Sequence, residues 1–346
     1  LASPVPAIVL LLMGLGLAWQ ASRNAGEWSQ AAQTAAVAAT AFVAMLAALS
    51  TTRVWFCAAA VAGLGLPAFL IPLSGNHEIL AARSFYGPLT VVQTAEQRLL
   101  VNGNTIHGVE WLDAARRTAT TSYYEPHSGI GQLVGMLKER RQPGAPPLDA
   151  PLLDAPPLHA LVIGLGSGTM ACYGDAALRL SFVEIDPLVD RVAHEAFGFL
   201  GGCGNPRVEI NDGRLAMAAR PDASLDLVVV DAFSSDAVPA HLLTAEAIAL
   251  YARKLRPGGV VAIHISNRYL DLAPVVAGSA AAAGLQALFE HSSNAAGSSD
   301  WTAVTADAAL SRALAGAGWK TLTAGSIPAW HDDRWDLMHV IRLPAW

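Results

Sequence analysis

The stretch Leu161-Val162-Ile163-Gly164-Leu165-Gly166-Ser167-Gly168, continued as far as Phe182-Val183-Glu184-Ile185-Asp186, decides the fold. An apolar run enters three glycines at alternate positions, and a second apolar run closes on an acid about 20 residues farther on. The pattern predicts a buried strand, a tight turn at which the backbone passes close under a ligand, and a second strand whose terminal acid hydrogen-bonds a ribose. An ordinary strand-to-helix connection has the same local texture. The neighbouring segments have to discriminate.

Outward from this turn, strands and helices alternate. The strand candidates are His159 to Ile163, Arg179 to Ile185, Arg207 to Ile210, Leu225 to Val230 and Val260 to Ser266, separated by helical stretches such as Leu188 to Ala196 and Thr244 to Lys254. This alternation predicts an α/β fold with a Rossmann-like, parallel-type sheet, helices on both faces and ligands at the carboxyl ends of the strands. Those ends carry Gly164, Gly166 and Gly168, then Glu184, then Asp212-Gly213, then Asp231 to Pro239. So many acids would repel a diphosphate. They suit a ligand with a ribose, an adenine amino group and a positive centre, as in S-adenosylmethionine or its decarboxylated form. The spacing G-x-G-x-G, in place of the dinucleotide G-x-G-x-x-G, points the same way.

The 346 residues are 53 % hydrophobic and only 14 % charged, where soluble domains carry about 25 % charge. The deficit lies at the start. Between Leu1 and Ala82 the only formal charges are Arg23, Glu27, Arg53 and Glu78, and the apolar runs Val5 to Trp19, Ala31 to Leu49 and Val54 to Leu73 lie among them. They predict a membrane region over 1–82 with about three transmembrane helices. A signal peptide fits the first run less well because no basic residue precedes it, and a buried core helix competes for the alanine-rich second. The expected location is the inner (cytoplasmic) membrane. If the rest of the chain uses a cytosolic metabolite, its catalytic domain lies on the cytoplasmic side and the N-terminus outside. The net charge of -6 and the absence of interleaved basic and aromatic runs argue against a nucleic-acid partner. Cys57, Cys172 and Cys203 show no CxxC spacing and read as reduced thiols.

A small β-hairpin unit is expected over 83–120, with strand-like runs at Pro88 to Gln93, Gln97 to Asn102 and Asn104 to Val109 about an Asn102-Gly103 turn. The catalytic domain then spans 121–346. Tyr123-Tyr124 alone reads as packing, and His107 and His127 as structural histidines. A proline-rich loop at 142–158 blocks regular structure. His264 to Tyr269 ends the fifth strand on the ligand side, and Trp330-His331-Asp332-Asp333 is a candidate cover. No set of ligands has metal spacing, and a sulfonium donor needs no Lewis acid.

The chain resembles the spermidine synthase family, the polyamine aminopropyltransferases, and in particular their membrane-fused relatives. The resemblance runs from Phe85 to the C-terminus through Phe85-Tyr86-Gly87, Val101-Asn102-Gly103, Tyr123-Tyr124-Glu125, Gly164 to Gly168, Phe182 to Pro187, Asp212-Gly213 and Asp231 to Thr244. It implies a class I methyltransferase-type fold in which Gly164, Gly166, Ser167, Gly168 and Gly213 cradle the donor, Glu184 binds the ribose and Asp212 the adenine. It further implies Asp231 as base beside Tyr123, Asp236 at the far end of a cationic amine or polyamine acceptor, and pairing of β units in a homo-oligomer. The family carries an Asp in the glycine turn against the amine of the decarboxylated donor, where this chain has Ser167; Ile106-His107 replaces a frequent glutamine. A methyltransferase or 3-amino-3-carboxypropyl transferase using intact S-adenosylmethionine is therefore an open alternative, as is a non-catalytic nucleoside-sensing membrane protein.

Overall fold

The computed structural model describes residues 77–103, 105–140, 156–232, 239–294, 297–325 and 327–342. The three expected membrane spans, most of the proline-rich loop and Asp236 lie outside them. Among the described residues no helix is long and apolar enough to cross a membrane.

In chain order the elements are β1 (His77–Ser84), β2 (Gly87–Gln93), β3 (Gln97–Asn102), β4 (Thr105–Trp111), α1 (Gly129–Glu139), β5 (Leu158–Ile163), β6 (Leu178–Glu184), α2 (Pro187–Ala196), α3 (Phe199–Gly202) and β7 (Arg207–Ile210). There follow α4 (Gly213–Ala219), β8 (Leu225–Val230), α5 (Ala245–Lys254), β9 (Leu255–His264), α6 (Ala273–Ala282), β10 (Gln286–Asn294), β11 (Gly297–Thr305), α7 (Ala308–Gly316) and β12 (Lys320–Leu322). The main sheet has the order β12-β10-β11-β9-β8-β5-β6-β7. Its five central and right-hand strands are parallel, in the places expected. The expectation of a parallel-type sheet needs correction at one edge, because β11 runs antiparallel to β9 and β10 antiparallel to β11 and β12. The sheet is mixed.

Every residue of β8 is buried, as a strand covered on both faces requires. One core packs α1 and α7 on one face through Leu133, Phe182 and Trp301; the other packs α5 and α6 through Val228, Ile248 and Val276. The chain leaves β5 towards β6 and β7 and later returns on the other side as β8. Ile163 lies level with Val183 and Val230, so the carboxyl ends of β5, β6 and β8 open into one crevice at the point where strand order reverses.

The β unit is a four-stranded antiparallel sheet, β1 to β4 in order. It starts at His77 instead of 83, so the tail of the expected membrane region is strand. Alternation along β2 and β3 turns Leu89, Val91 and Leu100 onto Leu188, Val192 and Phe199 of α2 and α3, each buried side chain stabilising the contact by about 1.5–3 kcal/mol. Glu110 of β4 is fully buried; it accepts from the Gly198 amide at 2.5 Å and lies 3.6 Å from Arg98 and 3.5 Å from Arg117. A buried acid needs such partners, and these tie the β unit to the α2–α3 connection.

The expectation of reduced thiols is also corrected at Cys172 and Cys203, while Cys57 lies outside the described residues. Cys172 and Cys203 form a disulfide, with Cα atoms 4.8 Å apart. Packing of Gly168 on Leu200 and Phe199 brings the turn after the glycines onto α3, a proximity invisible at a separation of 31 residues.

Candidate active site

The glycine turn is shaped by what presses on it. Gly164 has φ +100°, and a Cβ there would stand 2.1 Å from the carbonyl oxygen of Asp231. Only glycine lets the ends of β5 and β8 approach so closely. Glu184 holds the turn from the other side: Oε2 accepts from the Leu165 amide and Oε1 from the Asp186 amide, both at 2.9 Å. Burial raises the proton affinity of Glu184, and the backbone N-H groups around it only partly offset that. Asp212 caps α4, accepting from the amides of Arg214 and Leu215 at 2.9 Å, with His241 Nε2 3.6 Å from its other oxygen.

Above the turn is a cavity of 340 Å³ whose walls include Asn102, His107, Tyr123, Glu184, Asp212 and Asp231. Gly164, Gly166, Ser167 and Gly213 also line it, so all the expected donor-binding residues except Gly168 meet there. Gly168 packs on α3 instead. Ser167 is 1 % exposed, with its hydroxyl 2.9 Å from that of Thr169. It is wedged under β4, for a Cβ on Gly108 would stand 2.1 Å from Ser167 Oγ.

Asp231, just past β8, receives side-chain partners from three directions. Tyr124 donates to Oδ2, and His264 Nδ1 lies 2.8 Å from Oδ1. Burial pushes the carboxyl up, but the charge and hydrogen bond of His264, the Tyr124 hydrogen bond and His107 together outweigh it and hold Asp231 below the ordinary range. The two tyrosines come from a 3-10 turn, Ser122–Tyr124, opened by Ser122 at φ +58°. A serine in the left-handed region is strained, and such strain collects at functional sites. Tyr173 secures the turn by donating to the Tyr124 carbonyl at 2.7 Å. Tyr123 donates to the His107 carbonyl at 3.2 Å. Burial, followed by the charge of Asp231, raises both phenols well above their ordinary value. Both remain protonated donors. Tyr123 was the expected partner of the acid; it flanks Asp231, while Tyr124 carries the short hydrogen bond.

His264 stands behind Asp231, outside the cavity wall, stacked between Tyr123 at 4.5 Å and Trp301 at 4.8 Å. The sequence marked His264 only as pocket-lining, and nothing marked Trp301, which arrives on the antiparallel β11. Asn267 accepts from the amides of Tyr269 and Leu270 and shapes the exit from β9. His127 is exposed and takes no part. Of the candidate cover, Trp330 is core, His331 lies 2.8 Å from Glu246, and Asp332 binds both terminal nitrogens of Arg214 at 2.6 and 2.5 Å. Arg214 also donates to the His241 carbonyl, so this segment braces the Asp212 side of the crevice.

No family model matches the chain. It is 31 % identical over 117 residues to the polyamine aminopropyltransferase of Vibrio vulnificus, covering 32 % of this chain and 38 % of that protein. It is 35 % identical over 131 residues to spermidine synthase 1 of Pisum sativum, covering 35 % and 39 %. The matches thus span well under half the length of these curated relatives. A crystal structure of a probable spermidine synthase from Corynebacterium glutamicum has the same fold, with a TM-score of 0.53 and 17 % identity over 77 % of this chain and 99 % of that one. The resemblance to the polyamine aminopropyltransferases read from the motifs is upheld in sequence and in fold.

Proposed function

We propose that the chain is a spermidine-synthase-like transferase that moves an aminopropyl or related group from a sulfonium nucleoside to an amine or polyamine. One observation carries the reading: a single cavity joins Glu184 and Asp212 to Asp231, whose carboxyl takes Tyr124 and His264 as partners and is held below the ordinary range. A sulfonium carbon is already activated, so the protein's work is to align an amine with the C-S bond and remove its proton. Asp231 attracts the cationic amine and takes a proton from it, which frees the lone pair that then attacks the carbon, while the tyrosine hydroxyls orient the nitrogen. Glu184 has lone pairs beyond those held by Leu165 and Asp186, and they accept ribose hydroxyls. Asp212 reaches the adenine amino group, and the resemblance assigns Asp236, outside the described residues, to the far end of the acceptor.

A second reading rests on Ser167. The glycine turn offers no carboxylate to an unpaired donor ammonium, and hydroxyls with turn N-H groups suit the carboxylate of intact S-adenosylmethionine better. Methyl or 3-amino-3-carboxypropyl transfer follows from that reading. Supplying each donor with mixed polyamines separates the cases. Methylthioadenosine from the decarboxylated donor supports aminopropyl transfer, and from the intact donor carboxypropyl transfer. S-adenosylhomocysteine indicates methylation, and binding with neither product leaves a nucleoside sensor.

Attachment to the inner membrane through the apolar runs before residue 77, with the site on the cytoplasmic side where a cytosolic metabolite would reach it, completes the proposal. Retention in the membrane fraction after an alkaline carbonate wash is the expected result, and release to the supernatant would sink it. Pairing of β units into a homo-oligomer is to be checked by light scattering.

A further inference from the structure

We propose that His264 and Ser266 connect the buried Asp231 to solvent, so that a proton leaves through them whenever Asp231 takes one from the attacking amine. The inference rests on Asp231 being the base, as proposed above. His264 is thus a positioning residue that acts through Asp231. Its ring is held between Tyr123 and Trp301, which fixes the partner of each nitrogen. Nδ1 meets Asp231 Oδ1 at 2.8 Å and Nε2 meets Ser266 Oγ at 2.7 Å. Ser266 Oγ also accepts from the Asp300 amide at 2.8 Å, and Ser266, unlike His264, is partly open to water. The cavity reaches Asp231 but neither His264 nor Ser266. The line therefore runs from the cavity through carboxylate and imidazole to solvent on the other side.

Among the described residues, the charged and titratable groups around this line include the following. Tyr123, Tyr124 and His107 face Asp231. Beside Ser266 is Asp300, with His291 at 2.6 Å and Arg342 at 3.9 Å, and Glu290 pairs with Trp301 across β10 and β11.

The step balances. The amine nitrogen bonds to the sulfonium's carbon, the C-S bond breaks, and its electron pair stays on sulfur as a thioether. The nitrogen passes one proton to Asp231. The His264 imidazolium gives its Nε2 proton to Ser266 Oγ, whose own proton goes to water. The buried pair is neutral as carboxylate with imidazolium before the step and as carboxylic acid with imidazole after it. When product leaves, Asp231 gives its proton to water entering the cavity and His264 regains one through Ser266, so each transfer releases one proton net and restores the pair. Avoiding an unpaired charge matters in so dry a place.

Two measurements test this. In the full chain labelled with 15N-histidine, raising the pH is expected to remove the His264 proton from Nε2 while Nδ1 keeps its own; loss from Nδ1 overturns the proposal without any need for turnover. With decarboxylated S-adenosylmethionine and putrescine, His264→Asn keeps a donor towards Asp231 but cannot ionise. It is expected to lower kcat about tenfold or more, to leave donor KM within about twofold, and to remove one ionisation from the pH profile of kcat. Should that variant not fold, Ser266→Ala is expected to slow kcat while Ser266→Thr restores it. A wild-type rate and pH profile in His264→Asn, or in Ser266→Ala, overturns the route and leaves Asp231 as base. Full activity in Asp231→Asn overturns the reading on which the route rests.

Discussion

Glu184 and Asp231 end strands that flank the same β5, stand over the same cavity and are both buried, yet they are held in different ways. Backbone amides of the glycine turn hold Glu184, and its proton affinity is raised. Side chains from separate elements hold Asp231, and its proton affinity is lowered. The first arrangement is part of the fold and makes a rigid clamp. The second can be retuned by substitution, which is where proton chemistry belongs.

The comparison breaks most directly at Asp231→Asn. Turnover is expected to fall about 100-fold or more with donor affinity changed by at most about threefold, because only proton removal is lost; steady-state kinetics with a donor-binding titration reads both. Glu184→Gln should do the reverse. Its amide group points a donor at a backbone N-H, so about 1–3 kcal/mol of stability goes and donor KM rises more than kcat falls, as chemical denaturation and kinetics would show.

The two acids also oppose each other in acid. A lowered carboxyl stabilises the fold above its unfolded value and loses that as the pH drops through its folded value; a raised one favours the fold at low pH and loses that as the pH climbs. Denaturant midpoints measured from about pH 3 to 6 should therefore show a shallower acid loss in Asp231→Asn and a steeper one in Glu184→Gln. Equal slopes would mean that the opposite shifts are not real.

The clamp side has a further brace. Reducing the Cys172–Cys203 bridge, or Cys172→Ser, is expected to cost about 2–4 kcal/mol and to weaken donor binding while sparing kcat at saturation. The smallest effect belongs to the half-exposed Arg214–Asp332 pair. Asp332→Ala should cost about 1 kcal/mol or less and leave kcat nearly unchanged; a large loss of turnover would extend the chemical side of the site to the C-terminal segment.

The sequence made one of these regions far more legible than the other. Parallel strands buried on both faces read as apolar runs, and a glycine turn with an acid at the next strand end is local information, so β5 to β9 and the residues of the clamp were in plain view. Asp231 showed as an acid at a strand end, but its partners did not. Which of two adjacent tyrosines reaches it depends on the strained turn at Ser122, and His264 is held by Trp301 from β11, whose run Asp300-Trp301-Thr302-Ala303 carries no clear strand periodicity. The disulfide was hidden for a related reason, since it follows from helix packing and not from spacing.

The contact between Gly108 and Ser167 constrains how this site can change over generations. A side chain at 167 fits only because 108 has none. The two positions therefore behave epistatically: an enlarged residue at 108 closes every path to a larger residue at 167, while glycine at 108 keeps those paths open. A lineage enlarging the residue at 167 must make its changes in a particular order, with the strand of the β unit as the permissive partner.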